Sequence, residues 1–273
     1  MKKVILAVAV LLFASSMYGY RLNRVAESGS RWQQLPVSMT LNPADSGMGS
    51  EETQRAITGA MDSWNKGVGA SILDVGSINT GLKASQGMDP DAVNAIVFSK
   101  SFLADTGFDA DVTVAVGGQY GDGSAMSSAF IVFNAQKVGW GTDGTCKGYS
   151  YCDDLETISL HELGHVLGLG HSEVAEAAMS AKRGSKINRE LMQDDIDGAK
   201  FLTQYSVAGG SASYSGDSDQ SSGGGGGSGG CGTISTGSGN GNGNGMGGTI
   251  AMMLLPLLAL GVLRNRVALR TNR

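Results

Sequence analysis

The stretch His161-Glu162-Leu163-Gly164-His165-Val166-Leu167-Gly168-Leu169-Gly170-His171 decides how the rest of this 273-residue chain is read. It holds all three histidines of the sequence. Residues four apart share a helical face, so a helix here lets His161 and His165 bind one metal ion. Three imidazoles suit zinc, and three protein ligands leave a fourth position open, as in catalytic rather than structural sites. Glu162 is rotated by about 100° from His161 and can reach a metal-activated water without being a ligand. Zinc lowers the pKa of water from about 15.7 to roughly 7. Glu162 is placed to take that proton and later hand it to a leaving amine. His171 lies too far along for a straight helix. Gly168 tolerates positive φ and ends helices, so the chain is expected to turn there and bring His171 back as the third ligand. A chance H-E-x-x-H on a surface helix is the competing reading; the glycine and third histidine weigh against it.

Asp153 and Glu156 form a D-x-x-E pair upstream, which suits a helix cap with a partner three residues on. The helix is expected to begin near Asp154. Leu155, Ile158, Leu160, Leu163, Val166, Leu167 and Leu169 spread around it, as in a helix buried on all sides.

The eleven-residue string resembles the zinc signature of the metzincins. Ser172 after the third histidine resembles the matrixin branch. Met179, within Glu176-Ala177-Ala178-Met179, matches that family's Met-turn, which the resemblance makes an apolar floor beneath the zinc ligands. Core filling is the competing reading for a lone methionine. The chain has Met179-Ser180-Ala181 where matrixins often have Met-x-Pro, so the adjacent pocket wall is expected to differ. Residues Ile187 to Leu202 resemble the family's last catalytic-domain helix. Asp194, Asp195 and Asp197 are read there as first-turn acids that favour a helix N-terminus.

The N-terminal half reads as a sheet. Leu35–Asn42 alternates apolar and polar residues as a first strand, with Pro36 at its start. Ser50 is expected to cap a helix through about Lys66, with Ala56, Ile57, Ala60, Met61 and Trp64 on one face. Strand candidates follow at Ser71–Val75, Ala95–Ser99, Val112–Val116 and Ala129–Asn134. The resemblance covers roughly Arg31 to Tyr205. It implies an α+β metzincin fold: a twisted, mostly parallel sheet, an active-site helix, a Met-turn and a C-terminal helix. It also implies a protein or peptide substrate bound as an extended strand along a sheet edge. We place that edge at Val112–Val116, against an ordinary interior strand. Matrixins commonly bind structural calcium. Asp105, Asp109, Asp111 and Asp122 are candidate Ca2+ ligands, although aspartates beside glycine are also ordinary turn formers.

Met1-Lys2-Lys3 followed by the apolar Val4–Phe13 reads as a signal peptide, residues 1–19, rather than a retained anchor. In an exported chain Cys146 and Cys152 suit a disulfide at the entry to the motif helix. Shared metal binding is the alternative, although the spacing is not C-x-x-C. Cys231 falls in the tail. Without Lys2, Lys3, Arg264, Arg266, Arg270, Arg273, Asp217 and Asp219, 14 basic and 23 acidic residues remain. That balance argues against nucleic acid as a partner. Between the signal peptide and Arg31 there is no cysteine to block a zinc ion.

The expected catalytic domain, 20–206, is followed by a Gly/Ser/Asn-rich linker, 207–248. The segment 249–273 carries a short apolar run and a basic end. At fourteen residues, Ile250–Leu263 is short against the roughly 20 needed to span a bilayer. It resembles bacterial Gly-Gly-type sorting signals, read by inner-membrane machinery; a plain membrane anchor is the alternative. The sequence thus points to an exported zinc metalloendopeptidase, periplasmic, secreted or at the cell surface. Two rivals are a zinc-retaining adhesion module on the same fold and a processing factor with one dedicated substrate.

Overall fold

The computed structural model describes residues 19–206, apart from 90, 92, 144, 147–150 and 183–186. The expected signal peptide (save Gly19), linker and tail lie outside the described residues. Among the described residues no helix is long and apolar enough to cross a membrane.

The elements run α1 (Arg24–Glu27), β1 (Val37–Leu41), α2 (Ser50–Val68), β2 (Leu73–Ile78), α3 (Ala84–Gly87), β3 (Ala95–Ser99) and α4 (Phe102–Thr106). Then come β4 (Ala115–Gly121), β5 (Met126–Asn134), β6 (Gly139–Gly141), β7 (Cys152–Asp154), α5 (Leu155–Leu167) and α6 (Gln193–Ser206). Five strands form one sheet in the order β2-β1-β3-β5-β4. Its pairings are parallel except β4 with β5, where Gly117 lies opposite Ile131. This is the expected α+β architecture. Parallel strands are covered on both faces and read as continuous apolar runs. Accordingly β3, Ala-Ile-Val-Phe-Ser, is buried at every position.

One core lies between the sheet and the pair α2/α5, centred on Trp64, Met39, Leu41, Ile131 and Phe133. A smaller one covers the other face, around Phe102, Phe130 and Val132. Helix α2 buries Ala56, Ile57, Ala60, Met61 and Trp64, the face its 3.6-residue period marks. The Trp64 indole donates to the Leu160 carbonyl at 2.9 Å, tying α2 to α5.

Several boundaries differ from the sequence reading. Ser50 is the first helical residue rather than the cap; Gly49 occupies the cap and gives no side-chain bond. Strand β2 runs two residues later at its start and three at its end than Ser71–Val75, and β5 begins at Met126 rather than Ala129. The segment expected at Val112–Val116 becomes a strand only from Ala115, with Val112 exposed. It is an edge strand. Helix α6 starts at Gln193, not near Ile187. The preceding residues cross to α5 instead: the Asn188 N–H donates to Thr157 Oγ1 at 3.1 Å, and Arg189 pairs with Asp154 at 2.6 Å. The Met192 N–H is then met by the Asp195 carboxylate at 2.9 Å, which starts the helix.

Candidate active site

Helix α5 carries the motif. Its N-cap is Asp154, whose carboxylate accepts from the Thr157 N–H at 2.8 Å and its hydroxyl at 2.5 Å. The expected cap, Asp153, belongs to β7, where its carboxylate accepts from the Tyr151 hydroxyl at 3.1 Å. Glu156 turns to Arg189 at 3.2 Å rather than back to Asp153. Cys146 and Cys152 form a disulfide with Cα atoms 5.7 Å apart, directly before this cap. Every residue of α5 but Glu156 is buried, as the all-round apolar pattern requires.

The helix ends where the glycine predicts. Gly168 has φ 115°, and its N–H donates to the Gly164 and His165 carbonyls. A side chain is strained in that conformation. Beyond the turn Leu169 bridges Leu22, and the Gly170 N–H donates to the Arg21 carbonyl at 2.8 Å. His171 is thereby returned to the face of α5. Its ring centroid lies 5.3 Å from that of His161 and 5.0 Å from that of His165. One ligand atom from each histidine lies within 4.8 Å of the others.

The ring nitrogens report what this cluster is built for. His161 Nδ1 donates to the Ala178 carbonyl at 2.7 Å, and His165 Nδ1 to the Leu169 carbonyl at 2.8 Å. Carbonyls only accept, so a neutral ring bonded this way has its lone pair on Nε2. The two Nε2 atoms face each other at 3.0 Å. Burial and the neighbouring His171 push the His165 imidazole down to about 3, so a proton does not settle between them at neutral pH. A cation resolves the opposed lone pairs, and zinc–nitrogen distances of about 2.0–2.1 Å fit that gap. The donor set therefore fits zinc.

Glu162 is fully buried beside this cluster. Neither carboxylate oxygen has a hydrogen bond of full geometry. Burial pushes the carboxyl well above its usual range, and the Gly117 N–H directed at it offsets part of that rise. Strand β4 comes close because position 117 is glycine: a Cβ there would lie 2.7 Å from Glu162 Oε2 and 3.0 Å from the Glu162 carbonyl oxygen.

Met179 is buried under the helix. A Cβ on Gly164, between the two helical histidines, would collide with its sulfur. The loop bearing His171 is tied to this turn: the Ser172 N–H donates to the Met179 carbonyl at 2.8 Å, and Ser172 bridges Ser180. Asp194 and Asp195 stand in the first turn of α6 as read, and Asp195 has a further role. Read as a first-turn acid, it is buried and accepts from the Ala178 N–H at 2.9 Å and the Met179 N–H at 3.0 Å, besides that of Met192. Desolvation raises its carboxyl, and these three N–H groups oppose the rise. Asp194 likewise accepts from the Ser172 hydroxyl at 2.5 Å. Asp197, read as a first-turn acid, lies beyond the first turn and takes a bond from Gln193 at 2.8 Å.

Among the described residues, the three histidines are the one group of three or more potential metal ligands. The four acids considered for calcium are not gathered. Asp105 accepts from the Ser99 hydroxyl at 2.5 Å, Asp111 pairs with Lys137 at 2.8 Å, and Asp109 and Asp122 accept from backbone N–H groups of their own turns.

The matrixin (peptidase M10) family model matches residues 31–204. Metalloendoproteinase 4-MMP of Arabidopsis thaliana is 44% identical over 66 residues, 23% of this chain and 19% of that protein. Matrix metalloproteinase-16 of Mus musculus is 27% identical over 196 residues, 67% of this chain and 29% of that protein. Metalloendoproteinase 1 of Glycine max is 50% identical over 52 residues, 18% of this chain and 16% of that protein. The chain thus spans less than a third of the length of each of these relatives.

Proposed function

Because the chain belongs to the matrixin family, we propose that it is a zinc-dependent endopeptidase with His161, His165 and His171 as zinc ligands and Glu162 as the catalytic base. The observation that carries this is the fully buried Glu162 carboxylate, faced by the Gly117 N–H, beside three converging imidazoles. Burying a carboxyl costs stability, and a site that only binds has no use for that cost. This weighs against the adhesion-module reading.

When bound, zinc acidifies a water and draws charge from the scissile carbonyl oxygen. The chain supplies the rest. The carbonyls of Ala178 and Leu169 hold two imidazoles in the tautomer that offers Nε2. Glu162 takes the proton of the attacking water. It then delivers that proton to the amine nitrogen as the C–N bond breaks, so the leaving group departs neutral. Helix α5, buried on all sides, keeps these groups from drifting. Met179, fixed through its N–H by Asp195, forms the floor. The substrate lies extended along β4, whose backbone passes directly over Glu162.

The location is also proposed. The apolar N-terminus and the Gly-rich, basic-ended C-terminus support an exported, bacterial-type protein held or sorted through residues 249–273. The four-part division at 19, 206 and 248 belongs to the same proposal.

Purified protein is assayed on a general protein substrate, with zinc measured per chain. The proposal expects about one zinc and hydrolysis that disappears in Glu162→Ala with zinc retained. Cleavage surviving in Glu162→Ala would refute the mechanism; cleavage of one native partner but not of casein or gelatin would point to the dedicated-substrate reading. The same metal analysis reads calcium.

A further inference from the structure

Two amide side chains far from each other in sequence meet beneath the candidate substrate strand. Asn23 precedes α1, and Gln119 lies on β4 two residues beyond Gly117. Both are buried, Gln119 completely. Their amides pair reciprocally: Asn23 Nδ2 donates to Gln119 Oε1 at 3.1 Å, and Gln119 Nε2 to Asn23 Oδ1 at 2.7 Å.

The pair is not closed on itself. Asn23 Oδ1 also accepts from the Ala26 N–H at 3.1 Å, capping α1. Asn23 Nδ2 also donates to the His165 carbonyl at 3.2 Å. An N–H can only donate and a carbonyl can only accept, so these outer bonds fix which way the Asn23 amide points. The Asn23 backbone N–H meanwhile donates to the Gly168 carbonyl at 2.9 Å. A single residue thus ties the last turn of α5 to the strand that crosses it.

The placement matters because, besides its ladder with β5 and the Gly117 N–H that faces Glu162, β4 is tied to α5 by this side-chain link. It is an edge strand, paired on one side only, with β5. Gly117 and Gly118 give it no side chains with which to grip α5 along the stretch over Glu162. Gln119 is the next residue, and its amide reaches the carbonyl of a candidate zinc ligand through Asn23.

We infer that Asn23 and Gln119 are positioning residues, a two-amide latch that sets the height of β4 above His165 and Glu162 and so the fit of an extended peptide between strand and metal. Its catalytic consequence rests on the endopeptidase reading; its mechanical part does not.

The test uses the full chain loaded with zinc. Asn23→Ser keeps an oxygen to cap α1 but cuts the amide links, and Gln119→Leu removes the other arm. For each, KM for an extended peptide rises about 3- to 10-fold, the value of one or two net hydrogen bonds, with kcat and zinc stoichiometry little changed. Deuterium exchange rises in Ala115–Gly121 while α5 stays protected. Each single variant is also less stable, because it leaves a buried amide without its partner. The double variant Asn23→Ser/Gln119→Leu separates position from simple satisfaction. Stability recovers, since no half-pair remains, but KM and β4 exchange stay at single-variant values. A KM that recovers together with stability overturns the latch, and so does wild-type exchange in β4. If the wild-type chain cleaves nothing, the endopeptidase reading fails while the exchange comparison still decides the latch. Should Asn23→Ser not fold, Gln119→Asn shortens the arm by one methylene and gives the same comparison.

Discussion

Gly164 sits between the two helical histidines, and a methyl group there tests how the metal floor is built. In Gly164→Ala the new Cβ falls on Met179 Sδ and lies 3.1 Å from Met179 Cε and 3.0 Å from Trp64 Cζ2. The Trp64 indole cannot retreat, and Met179 can yield only through its side chain. The Trp64 indole is bonded to the Leu160 carbonyl, and the Met179 backbone is bonded to Asp195. Overpacking a rigid core costs about 1–3 kcal/mol, and two anchored neighbours place this site at the upper end. Alanine returns up to about 1 kcal/mol through its better helix propensity. The net loss is then about 2 kcal/mol. With a urea slope of about 2–3 kcal/mol/M, the unfolding midpoint of metal-free protein falls by roughly 0.7–1 M. Because the displaced side chain lies beneath the histidines, zinc affinity falls as well, read by chelator competition. An unchanged midpoint and unchanged zinc affinity would mean that Met179 does not support the site as described.

Asp195→Ala leaves three N–H groups without their acceptor, and at about 1–3 kcal/mol for each buried orphan it costs at least about 3 kcal/mol in denaturation. Zinc affinity drops in the same variant, because the Met179 turn loses its anchor; zinc affinity equal to wild type would detach Asp195 from the site. Acid dependence is cleanest in metal-free Glu162→Gln, where the carboxyl that opposes it is gone. The His165 imidazole is depressed to about 3 in the fold from an ordinary 6.5. Between those values the unfolded chain binds the extra proton, so stability is present above about pH 6.5 and is lost as pH falls toward 3. Urea midpoints flat across that range would contradict the buried, neutral His165.

The three-histidine cluster was legible in the sequence because a helix writes its geometry as a period. His161 and His165 share a face at four residues' spacing, and a glycine ends the helix where a third ligand must return. The buried helix was equally legible, since apolar residues all round leave no wet face. Capping was less so: Asp153 and Asp154 are the same residue type in adjacent positions, and only the bond to Thr157 chooses between them. Asp195 reads from sequence as a generic first-turn acid because only its bond to Met192 is local, while Ala178 and Met179 lie 17 and 16 residues before it and leave no pattern. The Asn23–Gln119 pair spans 96 residues and has no periodicity at all. Strand Val112–Val116 was misplaced at its start for a related reason. The alternation there matches a strand, but Val112 meets solvent rather than core.

Asp195 also sets when the turn beneath the histidines can be completed. Ribosomes release a chain from its N-terminus, so the histidines emerge before the carboxylate that steadies the turn beneath them. A fragment ending before α6 has all three histidines and Glu162, yet Ala178 and Met179 lack the acceptor that holds their turn. The bonds that hold this turn thus arrive with α6, the last helix among the described residues, and a product truncated before it carries the full motif on an unanchored turn.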